Sequence, residues 1–260
     1  MYDTKTITII TAVHPPRARF LGDTAQSVAS VCASPPEGWG VEWVVVIDGP
    51  GDVPAFATTT NTVVIHRPMN GGVSAARNTG LAHASGAWVM PLDHDDILDA
   101  DGLAGFLADP RAITEDWAAG SPRLLSGEWT PHRIVEARRY APRALETAWT
   151  SPFPFHPNVV MARRDAALSV GGWPALSANQ DLGYVFALNR QTAGWALPYP
   201  LTGYRRWGWQ TVSQAYYPDM KRLDFSYLIA WINAERGRAG LPSVVAPSPG
   251  GSHAIPVTGT

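Results

Sequence analysis

Apolar and polar positions along the first hundred residues fall into short runs that alternate in type. Thr6 to Thr11 (TITIIT) is a β-branched run, strand-like and buried on both faces. Gly22 to Ser34 spaces Val28, Val31 and Cys32 as one helical face, with Asp23 as its N-cap. Val41 to Ile47 (VEWVVVI) predicts a second buried strand that stops at Asp48-Gly49-Pro50-Gly51, and Thr62 to Ile65 a third, short one. Gly71-Gly72 opens a helix from about Ser74 to Ala84 with Ser74 as cap, and Trp88 to Leu92 is strand-like again. This alternation is that of a mainly parallel sheet with helices on its faces.

Beyond residue 100 the pattern is less regular. Asp101 to Ala108 predicts a short helix, Leu124 to Arg138 strand-like pieces, and Thr150 to Pro157 (TSPFPFHP) a proline-broken loop. Val159 to Ala162 reads as a strand and Arg164 to Val170 as a helix ending on Gly171-Gly172. Asp181 to Thr192 predicts a helix and Trp195 to Leu197 a short strand. Pro218 begins a last amphipathic helix with Leu223, Tyr227, Ala230 and Trp231 on one stripe. From Pro242 to Thr260 proline, glycine and serine dominate, a composition expected to be flexible. The expected organisation is one domain over residues 1–240, its first part to about residue 100 and its second over 101–240, followed by a tail at 241–260.

Composition removes several classes. The 260 residues carry a net charge of −2 with no block of like charge, so no electrostatic case exists for nucleic acid or an anionic membrane surface. A single cysteine, Cys32, excludes an internal disulfide and a cysteine-built metal site, and suits a reducing cytosol. The first residues lack signal-peptide order, and no apolar run approaches the roughly 20 residues that span a bilayer. The expectation is a soluble, cytoplasmic protein.

The chemistry concentrates where Trp88 to Leu92 ends in Asp93, Asp95 and Asp96. Strand ends of an open α/β sheet are where ligands bind. Carboxylates this close repel unless something positive sits among them, and a divalent cation bridging phosphate oxygens would serve. The alternative is a polar loop in which Asp96 or Asp99 caps the next helix.

Four patterns now stand in one order: VVVIDG at Val44 to Gly49, NGGVSAARNTGLAHASGAWVMPLDHDD from Asn70 to Asp96, VGGW at Val170 to Trp173, and NQD at Asn179 to Asp181. Together they resemble the family 2 glycosyltransferases of the GT-A fold over roughly residues 5 to 210. The resemblance implies a central, mostly parallel sheet flanked by helices. It implies a metal-dependent, inverting transfer of sugar from a nucleotide-diphosphate donor, expected to be a UDP-sugar, to a hydroxyl or amine of a soluble small-molecule or saccharide acceptor. Asp48 would accept the base's imide N–H, with Thr11 and Val13 on the neighbouring strand end. Arg77 would lie near the base and help hold Asp48, while Asn78 pins the neighbouring loop. Asp93 would bind the ribose or assist the metal, and Asp95 would ligate Mn²⁺ or Mg²⁺. Asp181 would be the catalytic base, at an ordinary carboxylate pKa; its alternative role is N-cap of the helix it begins. Trp173 would form a floor beneath a sugar or simply pack, and Gln180, in place of the family's usual glutamate, would remove a charge beside the base and bind substrate, altering which acceptor hydroxyls are held. His156 in the Phe-Pro-Phe-His-Pro-Asn loop is a candidate for the acceptor side, His94 a residue behind the metal ligands, and Arg205 or Arg206 a diphosphate contact. No histidine follows Tyr204-Arg205-Arg206-Trp207 at the distance the family's late histidine would need. Two rivals fit parts of the pattern: a nucleotidyltransferase, and a non-catalytic nucleotide-sugar-binding protein of the same fold, which would have no use for a base.

Overall fold

A computed structural model describes residues 5–130, 132–148, 153–208 and 210–245. Its first strands are β1 (Thr6–Val13), β2 (Gly40–Asp48), β3 (Thr62–Arg67) and β4 (Trp88–Pro91); α1 (Leu21–Ala33) joins β1 to β2 and α2 (Gly72–His83) joins β3 to β4. They lie in the order β3-β2-β1-β4, all parallel, as the alternation predicts. Then come β5 (Ile97–Leu98), α3 (Ala100–Ala108), α4 (Arg111–Thr114), β6 (Trp117–Leu124), β7 (Arg138–Tyr140), α5 (Ala144–Thr147), β8 (Val160–Arg163), α6 (Arg164–Ser169), α7 (Gln180–Gln191), β9 (Gly194–Tyr204) and α8 (Tyr217–Arg238). The sheet continues through β8, β6 and β9 to β5, and β7 also pairs with β9.

β8 runs antiparallel to both β4 and β6, and β9 runs parallel to β6. One edge of the sheet therefore collects the C-terminal ends of β1, β2, β4 and β9 together with the start of β8. The pairing Val89↔Ala162, carried four steps further along each chain, sets Asn158 opposite Asp93. All the acidic residues singled out from the sequence, Asp181 included, meet at or beside this edge.

Packing explains the layers. Ile7, Ile9, Trp43, Val45 and Ile47 face α1 with Val28 and Val31, and Val44 and Val46 face Ala76 of α2 on the other side. Burying apolar side chains from both faces favours β-branched runs in β1 and β2. α2 sits low on the sheet because Gly80 has no side chain: a Cβ there would lie 2.5 Å from Ile10 Cγ2.

Several boundaries differ from expectation. Asp23 and Ser74 cap nothing; their helices start at Leu21 and Gly72, and Ser74 Oγ donates to the Pro174 carbonyl at 2.7 Å. Asp99, not Asp96, caps α3, accepting from Gly102 N at 2.8 Å. Among the strand-like pieces expected over Leu124 to Arg138, only the ends are strand, since β6 begins at Trp117. β9 covers eleven residues despite Pro198 and Pro200. Of the stripe read along α8, Leu223, Tyr227 and Ala230 point outward, the first two 64% and 53% exposed, while Trp231 packs partly buried against the core beside the buried Leu228 and Ile232. Residues 150–152 of the proline-broken loop and 246–260 of the expected tail lie outside the described residues. Among the described residues no helix is long and apolar enough to cross a membrane.

Candidate active site

At the end of β2, Asp48 is 3% exposed, and its Oδ1 receives Arg67 Nη1 at 2.7 Å and Gly71 N at 3.1 Å. The guanidinium that holds Asp48 is thus Arg67's, one strand over, and not Arg77's. On β1, Thr11 is fully buried with its Oγ1 accepting from Trp43 Nε1 at 2.9 Å, and Val13 packs in the core, so neither side chain is exposed at the strand end.

Arg77 lies on α2 with 2% of its side chain exposed, and its guanidinium joins two parts of the cleft. Nη2 donates to Asp93 Oδ1 at 2.7 Å and Nη1 to Asp181 Oδ1 at 2.6 Å. Asn158 closes the group, accepting from Arg77 Nη2 at 3.0 Å and donating to Asp93 Oδ2 at 2.8 Å. Burial alone would disfavour the guanidinium's charge, but Asp181 and Asp93 outweigh it and hold the cation firmly protonated.

Asp181 stands in the first turn of α7, and neither oxygen caps that helix. Oδ1 also accepts from Trp173 Nε1 at 3.1 Å, and Oδ2 accepts from Gln180 Nε2 at 3.2 Å. Burial, and after it Asp93's charge, push Asp181 above the ordinary carboxylate range, against the opposing pull of Arg77 and the Trp173 N–H. The ordinary pKa expected from sequence is therefore corrected upward. Trp173 is 1% exposed and stacks on Tyr184 at 4.3 Å, so it supports Asp181 and presents no face to a sugar. It is positioned by Asn78, whose Oδ1 accepts from Trp173 N and whose Nδ2 donates to Trp173 O, both at 2.9 Å. Asn78 pins the loop, as its place in the motif suggests. The turn before it needs Gly171 and Gly172, at φ of 81° and 68°; a Cβ on Gly172 would also meet Asn78 Oδ1 at 2.2 Å.

Because the Trp173 N–H lowers the pKa of Asp181, Trp173→Phe is expected to raise it further. If the deprotonated form is the active one, the acid limb of the kcat–pH profile then moves to higher pH in the variant. An unmoved limb would dissociate that limb from Asp181.

His156 borders the same space. Its pKa is lowered to about 3, chiefly by burial and then by His132, whose ring stands 5.2 Å away edge-on. The ring is neutral, and since Nδ1 accepts from Asn158 N at 3.3 Å, its proton sits on Nε2. Tyr217, at the start of α8, feels Asp181's charge; burial first and that charge second push its phenol up to about 12.

In the acidic loop, Asp95 is 9% exposed, and its Oδ2 accepts from Trp207 Nε1 at 2.7 Å and Gln210 Nε2 at 3.2 Å. Asp96 Oδ1 accepts from Arg205 N at 2.9 Å, and burial, with Asp93 and Asp95 beside it, pushes its carboxyl well above the usual range. His94 makes two ring contacts to backbone oxygens, Ala12 O and Arg17 O, each 3.1 Å. Arg205 does not fit the diphosphate role: Nε donates to Asp95 O at 2.9 Å, Nη2 to Asp23 Oδ2 at 2.7 Å, and its Cζ lies 4.0 Å over Phe20. Arg206 is exposed and makes no ion pair among the described residues.

Among the described residues no three His, Cys, Asp or Glu side chains converge as a metal cage. The donor set suits a different arrangement. Among the described residues Asp95 Oδ1 makes no hydrogen bond, and a hard divalent ion held by one or two carboxylates takes its remaining ligands from substrate phosphates and water.

Arg67, Asn158, Trp207 and Gln210 escaped the sequence reading. Arg67 and Asn158 become visible only through strand pairing, and Trp207 and Gln210 stand where a histidine was sought.

The fold is GT-A, shared with known glycosyltransferases. A model of glycosyl transferase family 2 matches residues 21–168, and the chain belongs to that family. No curated protein matches the chain. Staphylococcus aureus TarS superposes with a TM-score of 0.62 at 16% identity over 92% of this chain and 41% of TarS, so the chain spans well under half of that protein's length. TarS 1–349 in complex with UDP-GlcNAc gives 0.61 at 16% identity, covering 89% and 73%. The mannosyltransferase PcManGT from Pyrobaculum calidifontis, in complex with GDP-Man and Mn²⁺, gives 0.52 at 19% identity, covering 93% and 65%.

Proposed function

We propose that the chain catalyses metal-dependent, inverting transfer of a sugar from a nucleotide-diphosphate donor, UDP-linked in the first instance, to a hydroxyl or amine of a soluble small-molecule or saccharide acceptor. The observation that carries this reading is Arg77, which binds the strand-end carboxylate Asp93 and the helix carboxylate Asp181 with one buried guanidinium. A protein that only bound a nucleotide sugar would need the first acid and not the second.

In this reading residues up to about 100 hold the donor and residues 101–240 form the acceptor side. Asp48, fixed by Arg67, accepts from the base. Asp93 meets the ribose, and Asp95 holds Mn²⁺ or Mg²⁺ with the donor's phosphates. Bound there, the ion would neutralise charge developing on the diphosphate leaving group. Asp181 removes the acceptor's proton as its oxygen attacks the anomeric carbon, and a pKa above the ordinary range brings that base nearer to working pH. Arg77 and Trp173 keep its lone pair aimed, and the Nε2–H of His156 is a donor available to the acceptor. Support comes from the family membership and from neighbours solved with UDP-GlcNAc and with GDP-Man and Mn²⁺.

The test is calorimetric titration of UDP with Mn²⁺ and with EDTA, followed by a screen of nucleotide sugars for metal-dependent hydrolysis. UDP is expected to bind much more tightly with Mn²⁺, and Asp95→Asn to abolish that gain. Equal affinity under both conditions would remove the metal role, and no turnover of any nucleotide sugar would favour a binding protein.

A further inference from the structure

The segment after β9 contacts the acidic loop in a way that no motif requires. Trp207 offers its indole N–H to Asp95 Oδ2 at 2.7 Å, and Gln210 adds its amide N–H to the same oxygen at 3.2 Å. An indole N–H and an amide N–H donate but carry no charge, so they fix a carboxylate without neutralising it.

Both donors are themselves held. Gln210 is 8% exposed; its Oε1 accepts from Trp207 N at 3.1 Å and its Nε2 also donates to Arg205 O at 2.6 Å. The indole meets Phe20 edge-on at 5.2 Å, and Arg19 lies over both rings. Arg17, in the 3-10 turn Pro15–Phe20 that also carries Arg19 and Phe20, donates from Nη1 to Thr211 Oγ1 at 2.8 Å. The segment is thus fastened on two sides before it reaches Asp95.

Both donors converge on one oxygen, and Oδ1 makes no hydrogen bond among the described residues. A ligating carboxylate behaves best when its other oxygen is oriented by hydrogen bonds, because the ion then meets a fixed lone pair. We infer that Trp207 and Gln210 are positioning residues for the metal: they hold Asp95 by Oδ2 so that Oδ1 is presented to a divalent cation. The inference rests on the metal role given to Asp95 above. It assigns the segment a function that does not need a histidine ligand.

The test uses the full chain and reads metal binding itself. Free Mn²⁺ is followed by electron paramagnetic resonance at saturating UDP, with UDP affinity in EDTA and melting temperature measured alongside. Trp207→Phe keeps an aromatic ring against Phe20 and removes the N–H together with part of the indole's bulk. It is expected to weaken Mn²⁺ binding about 10- to 100-fold, the usual effect of losing such a supporting bond, with metal-free UDP affinity unchanged. A folded Trp207→Phe with parental Mn²⁺ affinity would overturn the inference. Should Trp207→Phe melt far below the parent, Gln210→Met decides in its place by the same two outcomes. If the parent protein itself shows no Mn²⁺ dependence of UDP binding, the metal role of Asp95 fails, and this inference fails with it. A parent that shows the dependence beside variants that keep it removes the positioning role alone.

Discussion

Asp181→Asn is expected to lower turnover by about 10² to 10⁴, the usual worth of general-base assistance, with donor affinity nearly unchanged. The proton leaves as the acceptor oxygen attacks, so the benefit belongs to the transition state and hardly to donor binding. The substitution is well suited to the site. An asparagine oxygen can still accept from Arg77 and Trp173, and its new N–H can meet Gln180 Oε1, which has no partner among the described residues, once that amide turns. Steady-state kinetics, a donor titration and the anomeric configuration of the product check the three parts. Near-normal turnover would remove Asp181 as base. A product that keeps the donor's configuration would remove single displacement even if Asp181 proved essential.

Arg77→Met is expected to cost about 3–5 kcal/mol, chiefly because it leaves Asp181, 15% exposed, without its cation; Asp93, 35% exposed, is partly compensated by water. For a chain of this size that corresponds to a fall in melting temperature of roughly 6–20 °C. The loss has a sign in pH. Without Arg77, the folded-state pKa of Asp181, already above the ordinary carboxylate range, rises further. The variant is then relatively more stable at low pH and loses stability as pH rises through that folded-state value. Melts at pH 5 and pH 8 should show a smaller deficit in acid. A deficit equal at both values would mean that the cost comes from lost packing alone. Adding Asp181→Asn to Arg77→Met should recover part of it, since one orphaned charge is gone.

The sequence was legible where one interaction governs the local choice. β1, β2 and β4 are buried on both faces, so β-branched and apolar runs follow directly. Asp93, Asp95 and Asp96 stand out because carboxylates crowded at a strand end repel one another, and Asp181 because of its place in the family pattern. β6 was hidden because Ala118, Ala119, Gly120 and Ser121 have little strand preference. They are strand because there is no room for more: a Cβ on Gly120 would lie 2.5 Å from Leu201 Cγ. β9 was shortened by its prolines, and the α8 stripe was misjudged because Leu223 and Tyr227 keep the helical spacing while facing outward. The partners of the acids were the least legible. Arg67 reaches Asp48 across strand pairing, and Arg77 was assigned to Asp48 because both stand in early motifs. Asn158 meets Asp93 only because β8 runs backwards beside β4, a fact of topology that leaves no mark at position 158.

The clasp between Asn78 and the backbone of Trp173 carries a consequence for ionic strength. At about 1 M salt the screening length is roughly 3 Å, short enough to weaken any ion pair that water can reach. Arg205 to Asp23 is such a pair, with the aspartate 55% exposed, and it steadies the segment beside the acidic loop. The Asn78 clasp is uncharged, and the neighbouring Arg77 pairs are formed by a guanidinium that ions barely touch. Concentrated salt therefore acts unevenly on the site, loosening the side of the acidic loop while the side that holds Asp181 stays fixed.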